Sequence, residues 1–288
     1  MLLNKTVNVK APENDIAAVS VAASARVLDY TQAGAQIMRP VAVETAVNVV
    51  YGPVPFAVMM ATPNDLEDFA YGFCFTEGVI QHPSDIVGVE IKGEQRGLRL
   101  EIALRGDKMQ AHLARKRALS GRTGCGLCGI EDLDSLPNAT VRFKPDFKLT
   151  PSAVGKALRA FAAHQPLNDE TRAVHAAAFA DLSGNIIAVR EDVGRHNALD
   201  KLIGALLRIG RNAEDGFIVI TSRCSFEMVE KAAIFGARAL VAISAPTSLA
   251  LERAQAHGMI LVALARDDYA LIFQGCDAFD TKKLALAK

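Results

Sequence analysis

The sequence predicts an α/β protein, with a layered sheet in its second half and a smaller mixed unit before it. Three observations carry this. Beyond residue 150, strand-length apolar runs alternate with helix-length periodic segments, the rhythm of a layered α/β sheet. Before residue 145, short alternating strands surround one strongly periodic helix. Between them, "KPDFKLTP" gathers prolines and polar residues and marks a boundary. The chain divides accordingly into a loose N-terminal tail (1–25), a mixed α+β unit (26–145) and an α/β domain (146–288).

The elements follow in chain order. Residues 1–25 are rich in alanine and valine without a clear period. Residues 41–60 read as two strands joined at "GPVP". In "TPNDLEDFAYGFCFTEGVI", Asn64 and Glu67 fit a capping box. Leu66, Phe69, Ala70, Phe73 and Cys74 then recur at helical spacing. Segments 86–93 and 98–105 read as a hairpin. A basic helix over 108–119 carries Arg115, Lys116 and Arg117 toward a glycine-rich loop.

The second half opens with a helix at 151–164 and a strand pair around "DLSGN". Helix 197–209, strand 217–221, helix 225–236, strand 239–243, helix 247–257, strand 259–265 and strand 270–274 complete it. Helix 197–209 has an apolar stripe of Ala198, Leu199, Leu202, Ile203 and Leu206. Its other face offers Asp200, Lys201 and Arg208 to solvent or ligand.

Composition excludes several classes. The chain has 288 residues, half of them hydrophobic, so it can bury a sizeable core. Lysine plus arginine and aspartate plus glutamate stand at 32 each, which leaves no electrostatic footprint for nucleic acid. Apolar runs such as "MILVALA" are too short to span a membrane. "MLLNKTVNVK" lacks the apolar core of a signal peptide, so a cytoplasmic location is expected.

Five cysteines are too few for a disulfide framework. Cys74, Cys224 and Cys276 stand alone and read as small buried hydrophobes. Cys125 and Cys128 differ, because they lie in "SGRTGCGLCGIE", among four glycines. Three chemistries compete for this pair. A zinc site wants four ligands, and one pair with the distant His112 does not supply them. A thioredoxin-like dithiol belongs between a strand and a helix, whereas here a helix comes first. A sulfur carrier needs a thiolate that can hold a persulfide, and Arg122 with the preceding basic run favours a lowered thiol pKa. Glycines let a partner approach closely. The residues alone leave all three open.

Other motifs suit a phosphate. Gly194, Arg195, His196 and Asn197 open a helix, where backbone donors and an arginine favour an anion. "TSRCS", with Arg223 and Ser225, opens the next helix at a strand's carboxyl end, where open α/β sheets place ligands. Ordinary N-cap turns would look the same. Glu227 and Lys231 are spaced for a surface ion pair, and His164, His175 and His257 read as surface or turn residues.

Several stretches together resemble the formate dehydrogenase accessory sulfurtransferase family (FdhD). They are "GRTGCGLCGIEDL", "VMMATPNDLEDFAYGFCFTEGVI", "REDVGRHNALDKLIG", "TSRCSFEMVEKAAIFGARAL" and "SAPTSLALERAQAHGMILVALAR", in family order over about 40–275. The resemblance implies a cytidine-deaminase-like C-terminal fold and a homodimer. It implies that sulfur passes from a cysteine desulfurase to Cys125 as a persulfide, with Cys128 in support. The acceptor it implies is molybdenum bis(molybdopterin guanine dinucleotide), destined for formate dehydrogenase, with no zinc. The family's contact with that cofactor falls on Leu264, Ala265, Arg266, Asp267, Asp268 and Tyr269. Asp267 and Asp268 depart from the glycine or basic residues of many relatives, and two carboxylates would repel a phosphate. A competing reading is a non-catalytic chaperone of that cofactor with a redox-active CxxC.

Overall fold

The computed structural model describes residues 18–26, 34–110 and 141–279. The Cys125 and Cys128 loop, and all but the first residues of the expected basic helix, lie outside the described residues. The fold is α/β, built on three sheets.

A two-stranded antiparallel ribbon comes first, β1 (Ser20–Arg26) on β2 (Gln36–Ala42). This corrects part of the loose tail, because Ser20–Arg26 pair residue for residue with Gln36–Ala42. The N-terminal sheet holds β3 (Thr45–Tyr51), β4 (Val54–Ala61), β5 (Ile86–Glu94) and β6 (Gly97–Leu104), in the order β4-β3-β6-β5. Both expected hairpins form. The β3–β4 turn needs Gly52, whose φ of 55° lies in the left-handed region. The β3–β6 pairing is parallel, so a crossover is required. Helix α1 (Leu66–Thr76) lies within it and buries Leu66, Phe69, Ala70 and Phe73 against Val47, Val49, Leu100 and Ile102.

The C-terminal sheet has six strands, β7 (His175–Asp181), β8 (Ile186–Asp192), β9 (Gly216–Ile220), β10 (Ala239–Ala242), β11 (Ile260–Ala263) and β12 (Leu271–Gln274). Their order is β12-β11-β10-β9-β7-β8, with β9, β10 and β11 parallel and the others antiparallel to their neighbours. Alternation sends Phe217 and Val219 to one face, Ile218 and Ile220 to the other. Helix α2 (Pro151–Ala162) covers the first face; the short α3 (Pro166–Thr171) follows it. Helices α4 (Arg195–Arg208), α5 (Phe226–Phe235) and α6 (Ser248–His257) cover the second.

The two units join where α1 crosses α4. A Cβ on Gly72 would stand 1.7 Å from the Asp200 carbonyl oxygen, and one on Gly204 would stand 1.8 Å from that of Asp68. Only glycine at both positions allows this backbone approach. α1 therefore covers the side of α4 that the sequence assigns to solvent or ligand. Asp200 and Lys201 are buried, which corrects that expectation. The α1 capping box is corrected too: Asp65, at φ 52°, is the N-cap without a side-chain cap bond, and Glu67 pairs with Arg208 at 2.7 Å. Asp68 receives both Arg190 and Arg208, tying α1 to β8 and α4.

Candidate functional site

Strands β9, β10 and β11 end together at Ile220, Ala242 and Ala263. Antiparallel β7 starts at this edge, where Thr221 N–H donates to the Ala176 carbonyl at 3.0 Å. β8 finishes there with Asp192 opposite His175. The loops after β9 and β10 are tied crosswise, Cys224 N–H to the Ala245 carbonyl at 3.1 Å and Thr247 N–H to the Cys224 carbonyl at 3.0 Å. The starts of α4, α5 and α6 thus converge on the carboxyl edge, the usual ligand position of an open α/β sheet.

The α4 start sorts its polar side chains into two groups. The inward group is a clamp. Asp192 Oδ1 accepts from Gly194 N–H at 2.7 Å and Asn197 Nδ2 at 3.0 Å. Asp192 Oδ2 accepts from Thr62 N–H at 3.0 Å and pairs with Lys201 Nζ at 2.7 Å. Lys201 also donates to the Thr62 carbonyl at 3.1 Å and Oγ1 at 2.8 Å. Burial pulls the Lys201 ammonium below its usual pKa, although Asp192 opposes this. The clamp fixes the N-terminal sheet, through Thr62, against the loop that opens α4.

The outward group is unsatisfied. Arg195 Nε, His196 Nε2 and Ser225 Oγ are buried atoms with no hydrogen-bond partner among the described residues. His196 Nε2 faces Glu227 Oε2 at 3.9 Å, and that imidazole, ahead of every other cause, holds the Glu227 carboxyl down to about 2. Burial first, then Arg195, pushes the His175 imidazole below its usual pKa. Arg223 is exposed on the same edge. Two helix starts with free donors and two arginines can hold a multiply charged anion.

Leu264–Tyr269 lie beyond β11. Leu264 takes a left-handed φ of 52°, and Arg266 N–H closes a turn on the Tyr269 carbonyl at 2.7 Å. Arg266 Nη1 donates to the carbonyls of Ile243 at 2.6 Å and Ala265 at 2.9 Å. Asp267, Asp268 and Tyr269 are exposed. A cavity of about 530 Å³ runs between Ala265–Tyr269 and the α2 side, bounded by Leu158, Ala162, Gln165 and Ile243. A second of about 230 Å³ adjoins it beside Arg159. Neither is lined by Arg195 or Arg223. The structure groups Arg195, His196 and Ser225 at one place on the edge, and 264–269 with α2 at another.

The remaining cysteines divide. Burial pushes the Cys74 and Cys224 thiols up to about 12 each, which disfavours the thiolate that a nucleophile needs. Cys276 is exposed, which corrects its assignment as a buried hydrophobe. Among the described residues no group of three or more metal-ligating side chains occurs.

Two further expectations are corrected. Lys231 is not in a surface pair with Glu227. It bonds Asp200 Oδ2 at 2.9 Å, Thr76 Oγ1 at 2.8 Å and Glu77 Oε1 at 3.3 Å. Burial pulls its pKa down, and the two carboxylates more than offset this, leaving it raised. His257, read as a surface or turn residue, is 1% exposed and bonded on both ring nitrogens. Gly72 in α1 and Gly204 in α4 are the sequence signal that α1 packs over the polar face of α4. An isolated glycine in a helical pattern costs about 1 kcal/mol against alanine and often marks close packing.

Comparison with known proteins gives one consistent result. The model of the FdhD/NarQ family matches residues 42–280. The chain is 45% identical over 239 residues to the sulfur carrier protein FdhD of Xanthomonas euvesicatoria pv. vesicatoria, covering 83% of this chain and 85% of that one. It is 46% identical over 244 residues to the sulfur carrier protein FdhD of Agrobacterium fabrum, covering 83% and 89%. A crystal structure described as a formate dehydrogenase accessory protein from Desulfotalea psychrophila superposes with a TM-score of 0.71 at 25% identity, covering 91% of this chain and all of that one.

Proposed function

The chain belongs to the FdhD/NarQ family, and from that premise we propose that it is a sulfur carrier serving formate dehydrogenase. In this reading the Cys125 thiolate attacks the sulfane sulfur of a cysteine desulfurase persulfide. The S–S bond of the donor breaks, its cysteine leaves as a thiolate, and Cys125 holds the sulfur as a persulfide. The acceptor is molybdenum bis(molybdopterin guanine dinucleotide), a substrate here. The Cys128 thiolate attacks Cys125 Sγ, the bond to the outer sulfur breaks, and that sulfur leaves at the sulfide level to the acceptor. The Cys125–Cys128 disulfide left behind is reduced by a dithiol reductant before the next round. The protein acts as a cytoplasmic homodimer; among the described residues no helix is long and apolar enough to cross a membrane.

One observation carries the nucleotide part of this reading. Arg195 Nε, His196 Nε2 and Ser225 Oγ are buried without a hydrogen bond at two converging helix starts, His196 and Ser225 beside the Glu227 carboxylate. Buried polar groups are normally hydrogen-bonded, so Arg195 Nε, which has no counter-group among the described residues, calls for an acceptor there. A diphosphate supplies acceptors of the right charge for the arginine and hydroxyl donors, and Arg223 stands at the rim to meet it. The turn at Leu264–Tyr269 offers the dinucleotide's other parts a place in the adjoining cavity, with Arg159 and Arg266 near Asp267 and Asp268.

The test joins two measurements on the full chain. GDP titration reads the site, and mass spectrometry after incubation with a cysteine desulfurase and cysteine reads sulfur on Cys125. Cys125→Ala is expected to lose the added sulfur and to bind GDP as the parent does. Nucleotide binding without any sulfur on the parent would favour the chaperone reading. Full formate dehydrogenase activation by Cys125→Ala would end the carrier reading.

A further inference from the structure

His175 opens β7 at the carboxyl edge of the sheet and is half-buried. Its neighbours in the sheet fix its place. It lies opposite Asp192 of β8, and Ala176 beside it donates its N–H to Thr221 Oγ1, at the end of β9, at 2.9 Å. Alternation fixes its direction. Ala177 and Phe179 face α4, α5 and α6, whereas Ala176 and Ala178 face α2, so His175 points to the side of α4. Arg195 and His196 open α4 on that side, and the loop of Arg223 begins at Thr221.

The carboxylates near this ring are engaged elsewhere. Asp192 stands opposite, and both its oxygens are taken, Oδ1 by Gly194 N–H and Asn197, Oδ2 by Thr62 and Lys201. Glu191, next on β8, belongs to the other face and accepts the Leu167 and Asn168 N–H groups. Glu227, on α5, faces His196 at 3.9 Å. The cations are Arg195 and His196 from α4, with Lys201 on Asp192 and Arg190 of β8 on Asp68. The chain after β9 presents Thr221 and Ser222, which carry no charge. Among the described residues the His175 ring makes no hydrogen bond. Burial first, then Arg195, holds the imidazole below its usual pKa; Asp192 opposes this and His196 adds to it. His175 is therefore a neutral ring beside a guanidinium.

We propose that His175 is a further anion-binding residue of this edge, and that it takes up a proton from solvent when a phosphate group settles against Arg195. The inference deepens the nucleotide reading and rests on it. The phosphate supplies the negative charge that Asp192, already engaged, does not. The imidazolium then becomes the stable form and donates to a phosphate oxygen. The one covalent change is the N–H that the proton forms on the ring. Proton and nucleotide favour each other by the same factor, because the two binding events are linked. Staying neutral without ligand spares the ring repulsion by Arg195, and its charge arises only with the anion.

The experiment measures GDP affinity between about pH 5 and 8, where an imidazole titrates, on the full chain, His175→Gln and His196→Gln. NMR follows the His175 ring of the parent with and without GDP. The nucleotide's own phosphate titrates alike with all three proteins, so the reading is the difference between them. GDP should raise the midpoint of the His175 ring by about one unit, and the parent should then gain about tenfold more affinity on acidification than His175→Gln gains. His196→Gln, whatever its affinity, should keep that gain. Equal pH dependence in the parent and His175→Gln overturns the inference, as does a gain that disappears with His196→Gln instead. Should His175→Gln fail to fold, the ring signal decides: a midpoint that GDP leaves in place overturns it. A parent that binds no GDP at any pH sinks the nucleotide reading, and this inference with it.

Discussion

The start of α4 holds two kinds of buried polar group side by side. Asp192, Asn197 and Lys201 point inward, and Lys201 spends all three donors on Asp192 and Thr62. Arg195 and His196, between them in sequence, keep nitrogens without a hydrogen bond among the described residues, His196 Nε2 facing only the Glu227 carboxylate at 3.9 Å. Burial is common to both groups; satisfaction separates them. A completed polar network specifies structure, whereas an incomplete one at a helix start waits for a ligand. The same stretch, "REDVGRHNALDK", encodes both by alternating which side of the chain faces the core.

The largest expected effect breaks the inward group. Lys201→Ala leaves the Asp192 carboxylate buried and unpaired, and should destabilise the chain by about 3–5 kcal/mol in urea denaturation. A loss no larger than a surface substitution gives would mean that the clamp is not structural. The outward group should answer oppositely. Arg195→Ala removes one charge-assisted donor and should weaken GDP binding by about 1.5–3 kcal/mol. Its melting should stay close to the parent's, because the nitrogen has no partner to lose. Arg223→Ala is expected to weaken GDP binding less, since Arg223 is exposed. If both variants bind GDP as tightly as the parent, the vacancy has another meaning.

The smallest effect concerns acid. The Glu227 carboxyl is depressed from 4.5 to about 2, by His196 first. A depressed folded-state pKa stabilises the chain above the unfolded value and loses that contribution as pH falls through the folded one. The window therefore runs from 4.5 down to about 2. The pair is partly exposed and screened, so the contribution should stay under about 1 kcal/mol. Glu227→Gln should flatten this part of the curve of urea midpoint against pH. An unchanged slope would show that His196 and Glu227 do not interact in the folded chain.

Much of the fold was legible because period and punctuation are local. The hairpin at "GPVP" and the alternation after residue 150 follow from neighbours within a few residues. The polar faces were not legible, and the reason is a partner from the other unit. Asp200, Lys201 and Lys231 look like solvent-facing charges on amphipathic helices, until α1 covers them. His257 looks peripheral in the sequence because its partners, Glu230 and Val141, are distant along the chain. Of the site, the helix-opening motifs could be located by type. That Arg195 and His196 face outward without a hydrogen bond while Asn197 is consumed inward depends on the direction of each side chain, which spacing does not give. Cys125 and Cys128 lie outside the described residues, so their chemistry rests on the sequence and on the family.

The clamp also constrains the order in which the molecule can be made. Thr62 and Asp192 are separated by 130 residues, yet the backbone N–H of one is satisfied only by the carboxylate of the other. On the ribosome the N-terminal sheet emerges first, with the end of β4 still hydrated. It cannot finish packing until Asp192, Asn197 and Lys201 have left the exit tunnel. Contacts of such long range delay folding, and N-terminal elements wait exposed during synthesis. The first unit of this chain is therefore a client of its own second half, and stalled translation before residue 201 would leave it open to chaperones and proteases.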